Sequence, residues 1–165
     1  MWRQWAICPI AFVFQGNDLS ALMKWYEQPL HTLSHAQWEA LCDGCGQCCL
    51  NQLQDEEDNL YSTDVACRLL DTDTARCTDY AHRSERVPAC VTLTPNNLED
   101  VYFMPASCAY RLRAEGQPLP EWHPLRHEGS KEPMKKAGYH VAGHCVSEAK
   151  FKGDLEDRIV TWPLT

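Results

Sequence analysis

Ten cysteines stand at positions 8, 42, 45, 48, 49, 67, 77, 90, 108 and 145, and eight of them fall between Cys42 and Cys108. The densest stretch reads Leu41-Cys42-Asp43-Gly44-Cys45-Gly46-Gln47-Cys48-Cys49, a C-x2-C-x2-C-C pattern. Three chemistries compete for thiols at this density. A disulfide framework needs an oxidising compartment and suits chains too small to build a core. Buried structural thiols pack as small hydrophobes, which suits an isolated Cys145 but not four cysteines within eight residues. Metal ligation fits best, because C-x2-C sets two sulfurs on one tight turn, with the bite needed by a metal about 2.3 Å from each. Gly44 and Gly46 suit such a turn, since glycine accepts positive φ and lets backbone N–H groups approach the sulfurs.

The metal expected is zinc or iron, an iron–sulfur cluster included. Bacterial ferredoxins use C-x2-C-x2-C-x3-C-P, whereas Cys49 here follows Cys48 at once and Leu50 stands next. Zinc ribbons pair two separated C-x2-C knuckles, whereas the two units here share Cys45. Both matches are partial. The side chains of Cys48 and Cys49 should diverge, by about 180° on an extended chain or about 100° on a helix. Either they serve two sites, or one ligates and the other packs. The ligand candidates are therefore Cys42, Cys45, Cys48, Cys49, Cys67, Cys77, Cys90 and Cys108, with at least one of Cys48 and Cys49 in use. Cys8 and Cys145 are not candidates.

Other chemistry is thinner. His123, in Trp122-His123-Pro124, is either a half-buried loop residue or a ligand or base. His140 and His144 are predicted on one strand face about 13 Å apart, too far to share an ion. Arg111 either pairs with a carboxylate or offsets a thiolate-rich site. No catalytic triad or Cys–His nucleophile can be assembled.

The elements that must position the cysteines are short. The 165 residues fit one domain, and 44% apolar composition is enough for a core. The formal net charge is −8 and no Lys/Arg-rich run occurs, so nucleic acid is not an expected partner. The acidic run Asp55-Glu56-Glu57-Asp58 reads as a solvated loop, since no Gly-containing calcium-loop pattern surrounds it. No apolar stretch is long enough to span a membrane. Arg3 and the run Trp5 to Phe14 resemble a signal peptide faintly, but Pro9 interrupts the run and no small-x-small cleavage site follows.

A short helix is predicted over Ser20 to Gln28. A clearer one starts at Ser34, where Gln37 completes a capping box, and ends near Cys42 at Asp43-Gly44. Residues 60–70 read as a strand, with a turn at Asp71-Thr72-Asp73 and irregular chain to residue 92. Thr94 and Pro95 read as the start of a helix that stops before Pro105. Another helix is predicted from Ala106 to Glu115, with Gly116 just beyond it. Residues 139–146 alternate and read as a strand. The fold class expected is α+β, a small irregular domain of short helices and a few strands organised around the cysteine-rich metal site.

At this point the residues resemble a known family. Leu41 to Cys49 is similar to the signature of the bacterial YcgN-type proteins, within the broader YkgJ-like CxxCxxCC group of zinc- or iron-chelating proteins whose function is not known. The likeness continues through Val65-Ala66-Cys67-Arg68, Cys77 with Tyr80, Cys90 with Leu93-Thr94, and Cys108-Ala109-Tyr110-Arg111-Leu112. It takes in Ala114-Glu115-Gly116, then Leu119 to Leu125, and His144. It spans roughly residues 24 to 150, and excludes residues 1–22, Cys8, Cys145 and the chain after about Phe151. The resemblance implies metal binding and a cytoplasmic bacterial protein, and it supplies no reaction. The domain is accordingly read as residues 23–165, with 1–22 an extension outside it and Met23 an alternative start. Three functional readings follow: a metal-binding protein whose metal is mainly structural, an iron–sulfur or iron-dependent redox protein or enzyme, and a metal chaperone or sensor. No protein partner is identified, and enzyme activity is left open.

Overall fold

The computed structural model describes residues 24–164 other than Asp100. Cys8 and the extension 1–22 therefore lie outside the described residues, as does the first part of the helix expected over Ser20–Gln28. Of that helix the described part holds only a single 3-10 turn, Trp25–Glu27.

The architecture is mixed α+β, as expected. Helix α1 (His35–Leu41) begins at Ser34, whose hydroxyl accepts from the Gln37 N–H while the Gln37 side chain accepts from the Ser34 N–H. Satisfying two orphan donors reciprocally fixes the start of so short a helix. It stops at Cys42, whose backbone is already extended. Strands β1 (Leu50–Gln54) and β2 (Leu60–Ala66) form an antiparallel pair, interrupted by an irregularity between Leu50 and Gln52. A two-stranded ladder follows, β3 (Leu70–Asp71) against β4 (Arg76–Cys77), so the segment after Asp71 is less irregular than predicted. It also carries a single helical turn, α2 (Arg83–Arg86). Helix α3 (Ala109–Ala114) starts three residues later than expected, with Cys108 as its N-cap, and Gly116 follows it with φ +71°. Helix α4 (Glu132–Lys136) had no counterpart in the sequence reading, although Pro133 stands in its first turn and Met134 is fully buried.

Two expected elements are corrected. No helix runs from Thr94. The Asn97 side chain takes the Thr94 N–H at 2.7 Å and donates to the Thr92 carbonyl at 2.9 Å, closing a local turn instead. Residues 139–145 are not a strand either. Gly143 has φ +76°, the His144 N–H donates to the Val141 carbonyl, and only β5 (Val146–Ser147) pairs, in parallel, with the end of β2. The order β1-β2-β5 completes a three-stranded sheet.

Two apolar clusters flank the motif. One gathers Tyr26, Trp38, Leu41, Met104, Cys108, Ala109, Tyr110 and Leu119 around α1 and α3. The other gathers Leu50, Ala66, Leu70, Ala75 and Val141 beneath the sheet, with Cys49 and Cys145 against it. Each fully buried Leu or Val contributes about 1.5–3 kcal/mol. The cysteine motif is the chain that passes from one cluster to the other.

Candidate metal centre

Cys42 is the C-cap of α1 and Cys108 the N-cap of α3. The two helices are tied where the buried Tyr110 hydroxyl donates to the Trp38 carbonyl at 2.9 Å, with the two rings 4.7 Å apart. Between Cys42 and Cys45 the chain reverses at Gly44, φ +65°, and the buried Asp43 holds the turn by accepting the Cys45 N–H at 2.9 Å. Gly46, φ +84°, starts the 3-10 turn Gln47–Cys49, and the Gln47 amide anchors that turn by donating to the Tyr139 carbonyl at 2.7 Å. The other cysteines come from the sheet side. The Cys67 N–H donates to the Cys49 carbonyl at 2.8 Å, Cys77 lies opposite Leu70 in the β3–β4 ladder, and Cys90 closes a turn onto the Val87 carbonyl.

All nine described cysteines are free thiols. One device is visible at Cys67, where the backbone N–H of Leu69, two residues onward, points at the sulfur at 3.5 Å. Backbone N–H groups of Gly44, Gln47 and Arg111 likewise favour the thiolate forms of Cys42, Cys45 and Cys108, respectively. Such N–H donors stabilise thiolate charge and are what a ligating sulfur requires around it. Burial opposes them. It pushes the Cys42 thiol up to about 12, with the Asp43 carboxylate adding to the effect, and raises Cys45 well above the ordinary thiol range for the same two reasons. Cys42 and Cys48 nonetheless have solvent-accessible surface.

Cys48 and Cys49 act on each other first. The Cys49 thiol beside it and burial raise Cys48 well above the ordinary thiol range, while the Cys48 thiol lowers Cys49, with Arg83 assisting at Cys49. Cys67 and Cys90 are raised by burial. Among the described residues no three Cys, His, Asp or Glu side chains converge to hold one ion. The donor set is nonetheless soft, and eight thiols suit zinc or iron.

The histidines are not part of this set. His123 is fully buried, its Nε2 donating to the Leu41 carbonyl at the end of α1 at 3.2 Å and its Nδ1 accepting the Leu125 N–H, so both ring nitrogens are occupied by backbone groups. Burial lowers its pKa and keeps the ring neutral. His140 is buried with Nδ1 accepting the Ala142 N–H and Nε2 without a partner, while His144 is exposed. Arg111 bonds the Glu115 carboxylate at 3.0 Å and the Met104 carbonyl at 2.8 Å, the structural alternative of the two expected for it.

Sequence reasoning missed three groups. Asp43 was read only as part of a helix stop, although an Asp two residues before a backbone N–H is a known turn former. Its second oxygen is buried and has no partner. Lys131 donates to the Gly44 carbonyl at 2.9 Å and sits beside Cys42. Arg83 stacks on the Tyr80 ring at 3.8 Å and faces Cys49 and Cys90. The two cations are isolated in sequence and carry no local signal.

A family model described as "CxxCxxCC: Putative zinc- or iron-chelating domain" matches residues 41–109. The chain is 56% identical over 142 residues to a UPF0260 protein of Parvibaculum lavamentivorans, covering 85% of this chain and 92% of that one. It is 51% identical over 140 residues to a UPF0260 protein of Gluconobacter oxydans, covering 84% and 85%, respectively. A UPF0260 protein of Shewanella pealeana is 49% identical over 141 residues, covering 85% of this chain and 95% of its own. No solved structure matches the chain.

Proposed function

The chain belongs to the UPF0260 family, with a CxxCxxCC domain over residues 41–109, and we propose that it is a cytoplasmic metal-binding protein. Its ligands come from Cys42, Cys45, Cys48, Cys49, Cys67, Cys77, Cys90 and Cys108, and the metal is zinc or iron. The observation that carries this reading is the concentration of eight thiols between Cys42 and Cys108, with the Leu69 N–H aimed at the Cys67 sulfur at 3.5 Å. A purely apolar thiol has no use for such a donor, whereas a thiolate ligand does.

The metal is mainly structural. Its ligands tie α1, the β3–β4 ladder, α2 and α3 together, and the folded surface serves interaction or regulation. An all-cysteine site leaves no open coordination position, which argues against catalysis. Among the described residues no helix is long and apolar enough to cross a membrane.

The test is anaerobic purification followed by metal analysis and a visible spectrum. Zinc is colourless, whereas iron–sulfur clusters absorb through sulfur-to-iron charge transfer. At least one equivalent of zinc or iron per chain is expected. Folded, monodisperse protein without metal would overturn the reading.

A further inference from the structure

Building on the metal-binding reading, we propose that Lys131 serves the centre without being a ligand. Its ammonium, seated on the C-x2-C turn, offsets the negative charge that metal-bound sulfurs bring there, and so strengthens the hold on the metal.

The seat is close-fitting. The Lys131 Nζ donates to the Gly44 carbonyl at 2.9 Å. A Cβ added at Gly44 would collide with that Nζ and lie 3.3 Å from Cε. The ammonium thus fills the space in which any other residue at position 44 would carry its side chain, on the turn that joins Cys42 to Cys45. Lys131 reaches it from a fixed base. Its carbonyl accepts the Lys135 N–H at 3.0 Å at the start of α4, and Met134 anchors that helix by full burial.

The turn has other bonds to keep its shape. The Cys45 N–H donates to Asp43 Oδ1 at 2.9 Å, the Val141 N–H to the Cys45 carbonyl at 3.0 Å, and the Gln47 amide to the Tyr139 carbonyl at 2.7 Å. What Lys131 adds to these is a charge. Among the described residues that charge has no carboxylate in ion-pair contact, whereas Lys135, four residues on, is paired with Glu132 at 2.9 Å. A half-buried ammonium loses hydration that one carbonyl repays only in part, and two of its three N–H donors remain for other acceptors.

The surroundings call for a cation once metal is bound. Asp43 is buried at the same turn, with its second oxygen lacking a partner. Zinc brings two positive charges, so holding it with more than two thiolates leaves net negative charge. A cation already fixed at the turn meets that charge without rearrangement. Groups placed in this way around the ligands tune a metal site as the ligands do.

The experiment measures zinc dissociation constants for reduced full-length wild type, Lys131→Met, Lys131→Gln and Lys131→Arg, by competition with a colorimetric chelator, with circular dichroism as the check on folding. Lys131→Met removes charge and donor together and should weaken zinc binding about 10-fold or more. Lys131→Gln keeps a neutral N–H donor and should be weakened likewise, whereas Lys131→Arg keeps the charge and should recover most of the affinity. Wild-type affinity in Lys131→Gln would overturn the inference, because a donor alone would then suffice. Equal loss in all three variants would overturn it too, by making Lys131 a brace of fixed shape. Both results leave metal binding intact. Absence of zinc binding by wild type would overturn the metal-binding reading, and this inference with it. If Lys131→Met does not fold, the comparison of Lys131→Gln with Lys131→Arg decides.

Discussion

Replacing Gly46 with alanine probes the most crowded point of the motif. Gly46 is buried with φ +84°, and an added Cβ would lie 2.5 Å from Val141 Cγ2 and 3.1 Å from Ala75 Cβ. Val141 cannot easily retreat, since it is fully buried and its N–H donates to the Cys45 carbonyl at 3.0 Å. Holding an L-residue in the left-handed region costs about 1–2 kcal/mol. Overpacking a filled core adds about 1–3 kcal/mol, so Gly46→Ala should cost about 2–5 kcal/mol in all. Gly116→Ala isolates the first part of that sum, because Gly116 has φ +71° with nothing near the added methyl. The assay is urea unfolding of both variants and wild type at one fixed zinc concentration, followed by circular dichroism. With a slope of about 2 kcal/mol per molar urea, the Gly46→Ala midpoint should fall about 0.5–1.5 M below that of Gly116→Ala. Equal midpoints for the two variants would refute the packing argument and leave backbone conformation as the whole cost.

Four further outcomes are expected. Tyr110→Phe removes the 2.9 Å bond to the Trp38 carbonyl and strands a buried acceptor, so thermal or urea unfolding should show a loss of about 1–3 kcal/mol; an unchanged stability would count against the α1–α3 tie. Zinc added to metal-free protein in weak buffer should acidify it, and affinity should climb with pH, because burial raises Cys42 to about 12 and also raises Cys45, and the Cys49 thiol with burial raises Cys48, so these thiols hold their protons at neutral pH while zinc takes thiolates. An indicator dye that records no proton release would contradict this. Cys145→Ser should keep its full metal content and lose about 1 kcal/mol, since Cys145 packs on the cluster beneath the sheet; loss of metal would place it among the ligands. Truncation to Met23 should leave metal content and thermal midpoint nearly unchanged, and a large fall in either would show that residues 1–22 belong to the domain.

What the sequence revealed was what its signals settle locally. Ser34 and Gln37 lie within one turn, and their reciprocal bonds depend on nothing distant, so α1 and its end at Cys42 could be read directly. The density of cysteines identified the cluster for the same reason. The alternation of residues 139–146 misled because its periodicity is accidental. That segment is fixed by partners far along the chain, the Val141 N–H meeting the Cys45 carbonyl and the Gly143 N–H meeting the Thr72 carbonyl. The expected helix after Thr94 is replaced by a turn in which the Asn97 side chain accepts from the Thr94 N–H and reaches back to the Thr92 carbonyl, a backward link that capping signals do not announce. Within the site, spacing could list the thiols but not say which are neighbours. That depends on long-range pairing such as the Cys67 N–H meeting the Cys49 carbonyl. Nor could it distinguish His123 as a brace from His123 as a ligand, because both of its nitrogens are answered by backbone groups, one of them 82 residues away.

The parallel pairing of β5 with β2 has a consequence for how the chain reaches this state. Val65 meets Val146 and Ala66 meets Ser147, so this edge of β2 is covered by chain about 80 residues downstream, with the Val160 N–H reaching the Ser62 carbonyl beside it. Long-range parallel contacts form late, because loop closure must precede any gain from them. Until then β2 offers a row of unanswered peptide groups flanked by Val65 and Tyr61, a template for the same strand of another chain. Overproduced chains should therefore be lost first through edge-to-edge association at β2, ahead of any thiol chemistry. A substitution that weakens the grip of residues 146–160 should lower soluble yield even where the finished fold tolerates it.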